Sequence, residues 1–205
     1  MKYIQIIVLL FTIGCSVHKN NKSKTISNIY VFKNIKKSHN IFKLSNNYKN
    51  IKIDSIKFLF KKDSSFLKSE NNFQKITISS SLIPGKLEDD FVNLYVIGKI
   101  NKEEENNYYQ LLGYIDTFKN VYRESKSFII FNIDSKDYIS SSYFIYNYEN
   151  NIFFGEGFHI ETVPIKDNIF NIKLQKWTDV ILNGTRDKIY YKNIFINKNG
   201  KIFFK

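Results

Sequence analysis

Alanine is absent from the 205 residues; arginine and proline occur twice each, and cysteine, methionine and tryptophan once each. One cysteine excludes a disulfide framework. Arg123 and Arg186 stand alone, and nucleic-acid surfaces favour arginine for its bidentate grip on phosphate and guanine. No acidic residue precedes Asp54. Gly-rich phosphate loops, HExxH, CxxC and Gly-x-Ser-x-Gly are all missing, so the common nucleotide, zinc-protease, redox and serine-hydrolase signatures are not here.

What is present must be discounted for coding bias. Isoleucine (32), lysine (29), asparagine (25), phenylalanine (19) and tyrosine (14) make up 119 of the residues. All five are encoded by A/T-rich codons, so base composition explains them more simply than chemistry. The apolar content, 43%, still suffices for one domain with a core and excludes disorder throughout.

The net charge of +12 suggests nucleic acid until it is located. Nine lysines lie in residues 1–50 with no acid, whereas residues 51–205 hold 22 basic against 19 acidic residues. The body is near neutral, with lysines interspersed among acids as on an ordinary solvated surface. No nucleic-acid partner is expected.

Residues 1–15, MKYIQIIVLLFTIGC, carry an early positive charge at Lys2, an apolar run over 3–13, then Gly14-Cys15. This is the layout of an export signal. Eleven residues rising about 1.5 Å each fall short of a hydrocarbon core of about 30 Å, which disfavours a permanent spanning helix. The segment Thr12-Ile13-Gly14-Cys15 resembles the lipobox of bacterial lipoproteins, with small Gly14 before the cysteine and Thr12 where that family prefers leucine. The resemblance covers only these first residues. It implies cleavage after residue 14, diacylglycerol on Cys15 and export.

Residues 16–50 follow as a polar stretch with eight lysines and no acid, proline or glycine. They read as a flexible, solvated tether beside the membrane, where lipid and lysines together make a two-signal anchor. The alternative is that residues 29–32, Ile-Tyr-Val-Phe, form a first strand returning to the body. By resemblance to lipoproteins of some Gram-negative lineages, which carry acids after the cysteine when sent to the surface, Ser16-Val17-His18-Lys19 points to the periplasmic side of the envelope.

From residue 51 onward the chain reads as strands. Ile51, Ile53, Ile56, Phe58 and Phe60 alternate with polar residues, as do Ile76 and Ile78. Pro84-Gly85 marks a turn. Residues 91–100 and 108–118 flank a charged loop; a helix over 103–112 competes, but the valine, tyrosine and isoleucine of the flanks favour a hairpin. Strands are expected over 127–133 and 138–148, a tight turn at 149–151, a strand over 152–154, a glycine bend at 155–157, and strands near 158–163 and 170–175. A last hairpin spans 189–204 around Asn199-Gly200. The expectation is an all-β, mostly antiparallel domain, a sandwich or barrel-like sheet, in a chain divided as 1–14 signal peptide, 15–50 tether and 51–205 domain.

Candidate chemistry is sparse. His159 and Glu161 share one strand face, and Glu156 lies across the glycine bend, so the three are the candidates for an acid/base or metal set. An ordinary solvent-facing strand explains them as well. The acids at 88–90 and 103–105 lack a Ca²⁺-loop spacing and read as solvated turns. Trp177 with Tyr108, Tyr109, Tyr143 and Tyr146 is the candidate aromatic platform for a sugar or peptide, and core packing competes for each of them. No cofactor or metal is expected. The sequence thus points to a membrane-anchored, exported lipoprotein with a non-enzymatic module binding protein, peptide or glycan; the alternative is an envelope hydrolase or metal-dependent enzyme using His159.

Overall fold

The computed structural model describes residues 31–35, 48–52, 73–85, 90–100, 106–115, 123–151, 155–166, 168–180 and 184–205. Cys15, most of the segment read as a tether, the strands expected at 53–60 and 152–154, and the acids at 88, 89 and 103–105 lie outside these residues.

The fold is all-β. Strand β1 (Phe32–Asn34) is followed by β2 (Gln74–Ser79), a 3-10 turn at Ser80–Leu82, β3 (Phe91–Ile100), β4 (Tyr108–Ile115) and β5 (Arg123–Asp134). Then come β6 (Ile139–Asn151), β7 (Glu156–Lys166), β8 (Ile169–Val180), β9 (Gly184–Ile196) and β10 (Ile202–Phe204). From β2 to β10 each strand pairs with its successor, so the sheet is one antiparallel meander, and it does not close into a barrel. Such connectivity needs only hairpin turns, which is why short polar segments separate the β-branched and aromatic runs.

The central strands are buried on both faces. Phe128, Ile129, Ile130, Phe131 and Ile133 of β5 all lose essentially all their accessible surface, which is why this run is continuously apolar rather than alternating. Further out, β7 returns to alternation, with Ile160 and Thr162 buried between exposed or half-buried neighbours.

Strand β6 has two different neighbours along one edge. Tyr146 to Asn151 pair with β7, while Ser141, Ser142 and Tyr143 pair with β1. Register shifts near Phe128 and Asn132 mark the β5–β6 ladder where this fork opens, as bulges do when a sheet bends. The sheet folds back there. Phe170 of β8 packs on Tyr143 at 5.8 Å between ring centroids, and Tyr108 donates to Asn168 in the turn after β7 at 3.1 Å.

β1 fills the slot between β6 and β10. Its second border is a side chain: the Asn34 amide donates to the Ile202 carbonyl (2.7 Å), and its oxygen accepts from the Ile202 N–H (2.9 Å). The Lys201 ammonium donates to the carbonyls of Ile35 (2.6 Å) and Ser140 (2.9 Å) at the adjoining corner. Burial there lowers the Lys201 pKa, and the nearby Asp134 charge opposes the shift.

A buried polar cluster ties the β9–β10 turn to the middle of the sheet. Asn132 donates to Ser141 (2.8 Å) and to the Gly200 carbonyl (3.1 Å), and its oxygen accepts from Gln110 (2.8 Å). Gln110 also donates to the Tyr143 hydroxyl at 3.1 Å. Gly200 sits at φ +73°, and a Cβ there would meet the Ser140 hydroxyl at 2.5 Å, so only glycine can bring this carbonyl into the cluster.

Three expectations are corrected. Residues 31–35 belong to the domain, since Val31, Phe32 and Ile35 are buried and β1 pairs with β6; residues 49–51 also join it, hydrogen-bonded to Lys99. Residues 149–151 are not a turn but the end of β6, paired through Asn151–Glu156; the reversal falls between these two residues, with Gly155 at φ +59°. Gly157 makes no bend and lies in a regular ladder between Asn150 and Trp177.

Candidate functional site

Directly opposed residues in an antiparallel ladder point to the same face, so the registers define which side chains meet. On the outer face of β7–β9 three rows run across the strands. They are Gly157–Trp177–Asp187, His159–Gln175–Ile189 and Glu161–Lys173–Tyr191. On the other side of β7, Tyr148 stands opposite His159 and Tyr146 opposite Glu161.

Trp177 lies flat over Gly157. A Cβ on that glycine would overlap the indole Cζ2 and Cε2 atoms, so the absence of a side chain creates the seat for the ring. The indole also stacks against Tyr148, centroids 5.7 Å apart and planes 31° from parallel. Gln175 donates to the Asp187 carboxylate at 3.4 Å beside it, and Ile189 and Tyr191 are exposed on the same face. The result is a half-buried ring held from below and from one side, with amide and carboxylate groups in the next positions.

His159 sits at the end of an aromatic ladder. Successive centroid separations are 6.1 Å for Tyr95–Tyr114, 5.4 Å for Tyr114–Phe128, 6.3 Å for Phe128–Tyr146 and 5.0 Å for Tyr146–His159. The imidazole meets Tyr146 edge to face, and its buried Nε2 has no hydrogen-bond partner among the described residues. Burial lowers its pKa; the Glu161 carboxylate pulls the other way, and Lys173 adds to the lowering. His159 is therefore neutral near pH 7.

Of the three residues grouped from the sequence, His159 and Glu161 share a face and Glu156 does not. Regular pairing through Asn151–Glu156 and Gly157–Trp177 puts Glu156 on the other side of β7, exposed. Among the described residues no group of three His, Cys, Asp or Glu is arranged to hold a metal ion. Among the described residues no carboxylate is hydrogen-bonded to this imidazole, the orienting contact that a general base requires.

The expected aromatic platform also divides. Trp177 is in it; its partner is Tyr148, which sequence reasoning missed because only the β6–β7–β8 register brings the two rings together. Tyr146 lies one row away on the same face. Tyr143 is fully buried in the polar cluster, and burial raises its pKa while the Gln110 contact opposes the shift. Tyr108 is also core, its pKa raised by burial. Tyr109 lies far from Trp177 in the ladder, donating to Asp137 at 2.9 Å beneath the Lys99 ammonium. Burial raises its pKa first, and the Asp137 contact adds to that.

Among the described residues no helix is long and apolar enough to cross a membrane. Comparison of the chain with protein-family models, with curated proteins and with solved structures finds no match.

Proposed function

We propose that this chain is a bacterial envelope lipoprotein, held at the periplasmic membrane face through diacylglycerol on Cys15, whose β domain is a non-enzymatic module binding an envelope glycan. The lipobox-like residues 12–15 and the acid-free, lysine-bearing segment after them support the anchoring. The observation that carries the binding reading is the Trp177–Gly157–Tyr148 stack on the outer face of β6–β8. An indole offers an apolar plane to the C–H face of a sugar ring, while Gln175 and Asp187 offer a donor and acceptors to hydroxyls; few polar groups around an aromatic wall is the usual make-up of a small-ligand site.

A peptide added to the free edge of β9 is the competing binding mode. It is disfavoured by exposed Lys188 and Lys192 on that strand, since lysines on an edge strand oppose further pairing. The enzyme alternative using His159, Glu161 and Glu156 has less support, because the three do not share a face.

Two measurements test the proposal. Cys15→Ser should leave an uncleaved or soluble precursor that no longer enters the detergent phase; fractionation like the parent chain refutes lipidation. Because Trp177 is the only tryptophan, its fluorescence titrated with purified envelope glycan fragments reads the site directly. Saturable change in the parent chain, lost in Gln175→Ala with unaltered circular dichroism, is the expected result. No change with any glycan fraction refutes the ligand class.

A further inference from the structure

The outer face of β7–β10 ends in a row of apolar side chains well separated from Trp177. Phe203 of β10 pairs with Phe195 of β9, and Phe195 with Ile169 of β8. In β7 the register shifts between Pro164 and Lys166, so both Ile165 and Lys166 stand at the end of this row. The side chains are open to solvent: Ile165 is 57% exposed, Phe203 50% and Phe195 40%. Three exposed lysines border them, Lys166 in β7, Lys198 in the β9–β10 turn and Lys205 beyond β10.

Strand β1 lies beside β10, with the Ile35 carbonyl held by Lys201 at the β9–β10 turn. Phe32, the first residue of β1, packs its ring on Phe204 at 4.9 Å between centroids. Sixteen residues lie between Cys15 and Phe32, a length that spans on the order of 50 Å at most when extended. A membrane attachment at residues 1–15 therefore keeps the domain within reach of the lipid surface.

We infer that the Ile165–Phe195–Phe203 row, with Lys166, Lys198 and Lys205, rests on an anionic bilayer; this rests on the membrane anchoring proposed above. Aromatic and branched side chains insert among headgroups while ammonium groups meet lipid phosphates, the combination that gives peripheral membrane contact. A second copy of the chain fits the row less well. A two-fold contact would bring like-charged lysines together around a narrow apolar strip, and a stable interface needs roughly 800 Å² from each partner. Ile169 and Trp177 are eight residues apart on the same face of β8, about 26 Å at the strand rise, so the Trp177 site is well separated from the seated row.

The test uses the full chain, exported, processed and reconstituted in vesicles, with Phe203→Cys or Ile165→Cys carrying an environment-sensitive thiol fluorophore. Lys188→Cys, exposed on the opposite face of β9, is the control. Vesicles of phosphatidylcholine with and without phosphatidylglycerol carry brominated acyl chains as quenchers. The expected result is quenching at 203 and 165, weaker without phosphatidylglycerol, and none at 188. Labels at 203 and 165 that stay in water overturn the inference and leave the anchoring intact. Shielding at 203 that grows with protein concentration and ignores the vesicles overturns it in favour of a second copy. Reaction of the fluorophore at Cys15 shows a free thiol and overturns the anchoring and the inference together.

Discussion

The Asn34 side chain meets the Ile202 backbone in the manner of a neighbouring strand: its amide donates to the carbonyl at 2.7 Å and accepts from the N–H at 2.9 Å. One residue thereby satisfies both backbone groups of a position 168 residues later in the chain, where an unmet donor and acceptor would otherwise be partly buried.

Asn34→Ala should destabilise the domain by about 1–3 kcal/mol, the cost of leaving those groups unpaired. Asn34→Asp should be at least as damaging, because it replaces the donor with a carboxylate facing the Ile202 carbonyl. Urea denaturation of the full chain measures both. An aspartate variant as stable as the parent would show that the amide is not the bridge.

Asn132→Ala should cost about 2–4 kcal/mol, since it strips partners from buried Gln110, Ser141 and the Gly200 carbonyl at once. Asn171→Ala removes an amide contact to Asn193 of the same length, 2.8 Å, but at an exposed site, and should stay within about 0.5 kcal/mol. Equal effects of the two substitutions would contradict the burial argument.

Gly157→Ala forces the Trp177 ring off its seat. The expected outcome is a red-shifted tryptophan emission, destabilisation of about 1–3 kcal/mol from overpacking, and weaker glycan binding. Unchanged emission would mean that the indole does not lie on the glycine.

The His159 pKa is lowered from 6.5 in the folded chain, so the unfolded chain binds the extra proton first as pH falls. Stability from this group is complete above 6.5, declines as pH drops below that value, and levels off beneath the folded pKa. His159→Phe should remove this component of the decline, seen as a flatter dependence of melting temperature on pH between 6.5 and the onset of carboxylate titration near about 4–5. Parallel curves for the two proteins would show that the imidazole is not desolvated.

Much of the fold is legible in the sequence because local patterns carry it. The hairpin of β3 and β4 follows from the valine, tyrosine and isoleucine of its flanks and the turn at Asn199-Gly200 from the need for positive φ, and both are found, with Gly200 at +73°. Alternation also contained the answer for Glu156: an odd separation from His159 puts the two on opposite faces unless a bulge intervenes, and the glycines suggested one that is absent. The Trp177–Tyr148 pair was not legible, because it depends on two strand registers set by packing far away. Strand β1 was legible only as the alternative of a returning strand at residues 29–32, because its three residues gain strand character from the gap between β6 and β10.

That gap imposes an order of events on a chain made from its N-terminus. Strand β1 is synthesised before the other described strands, yet one border, β6, begins at Ile139 and the other is completed only at Ile202. Until β6 has emerged Phe32 has no Tyr143 to pair with, and until nearly the whole polypeptide has emerged the Asn34 side chain lacks Ile202. Contacts between such distant parts of a chain form slowly because the intervening loop must be closed first. The first of the described strands to be made is thus the last of them to find both its neighbours, and a chain truncated before β10 lacks the partner that the Asn34 amide holds.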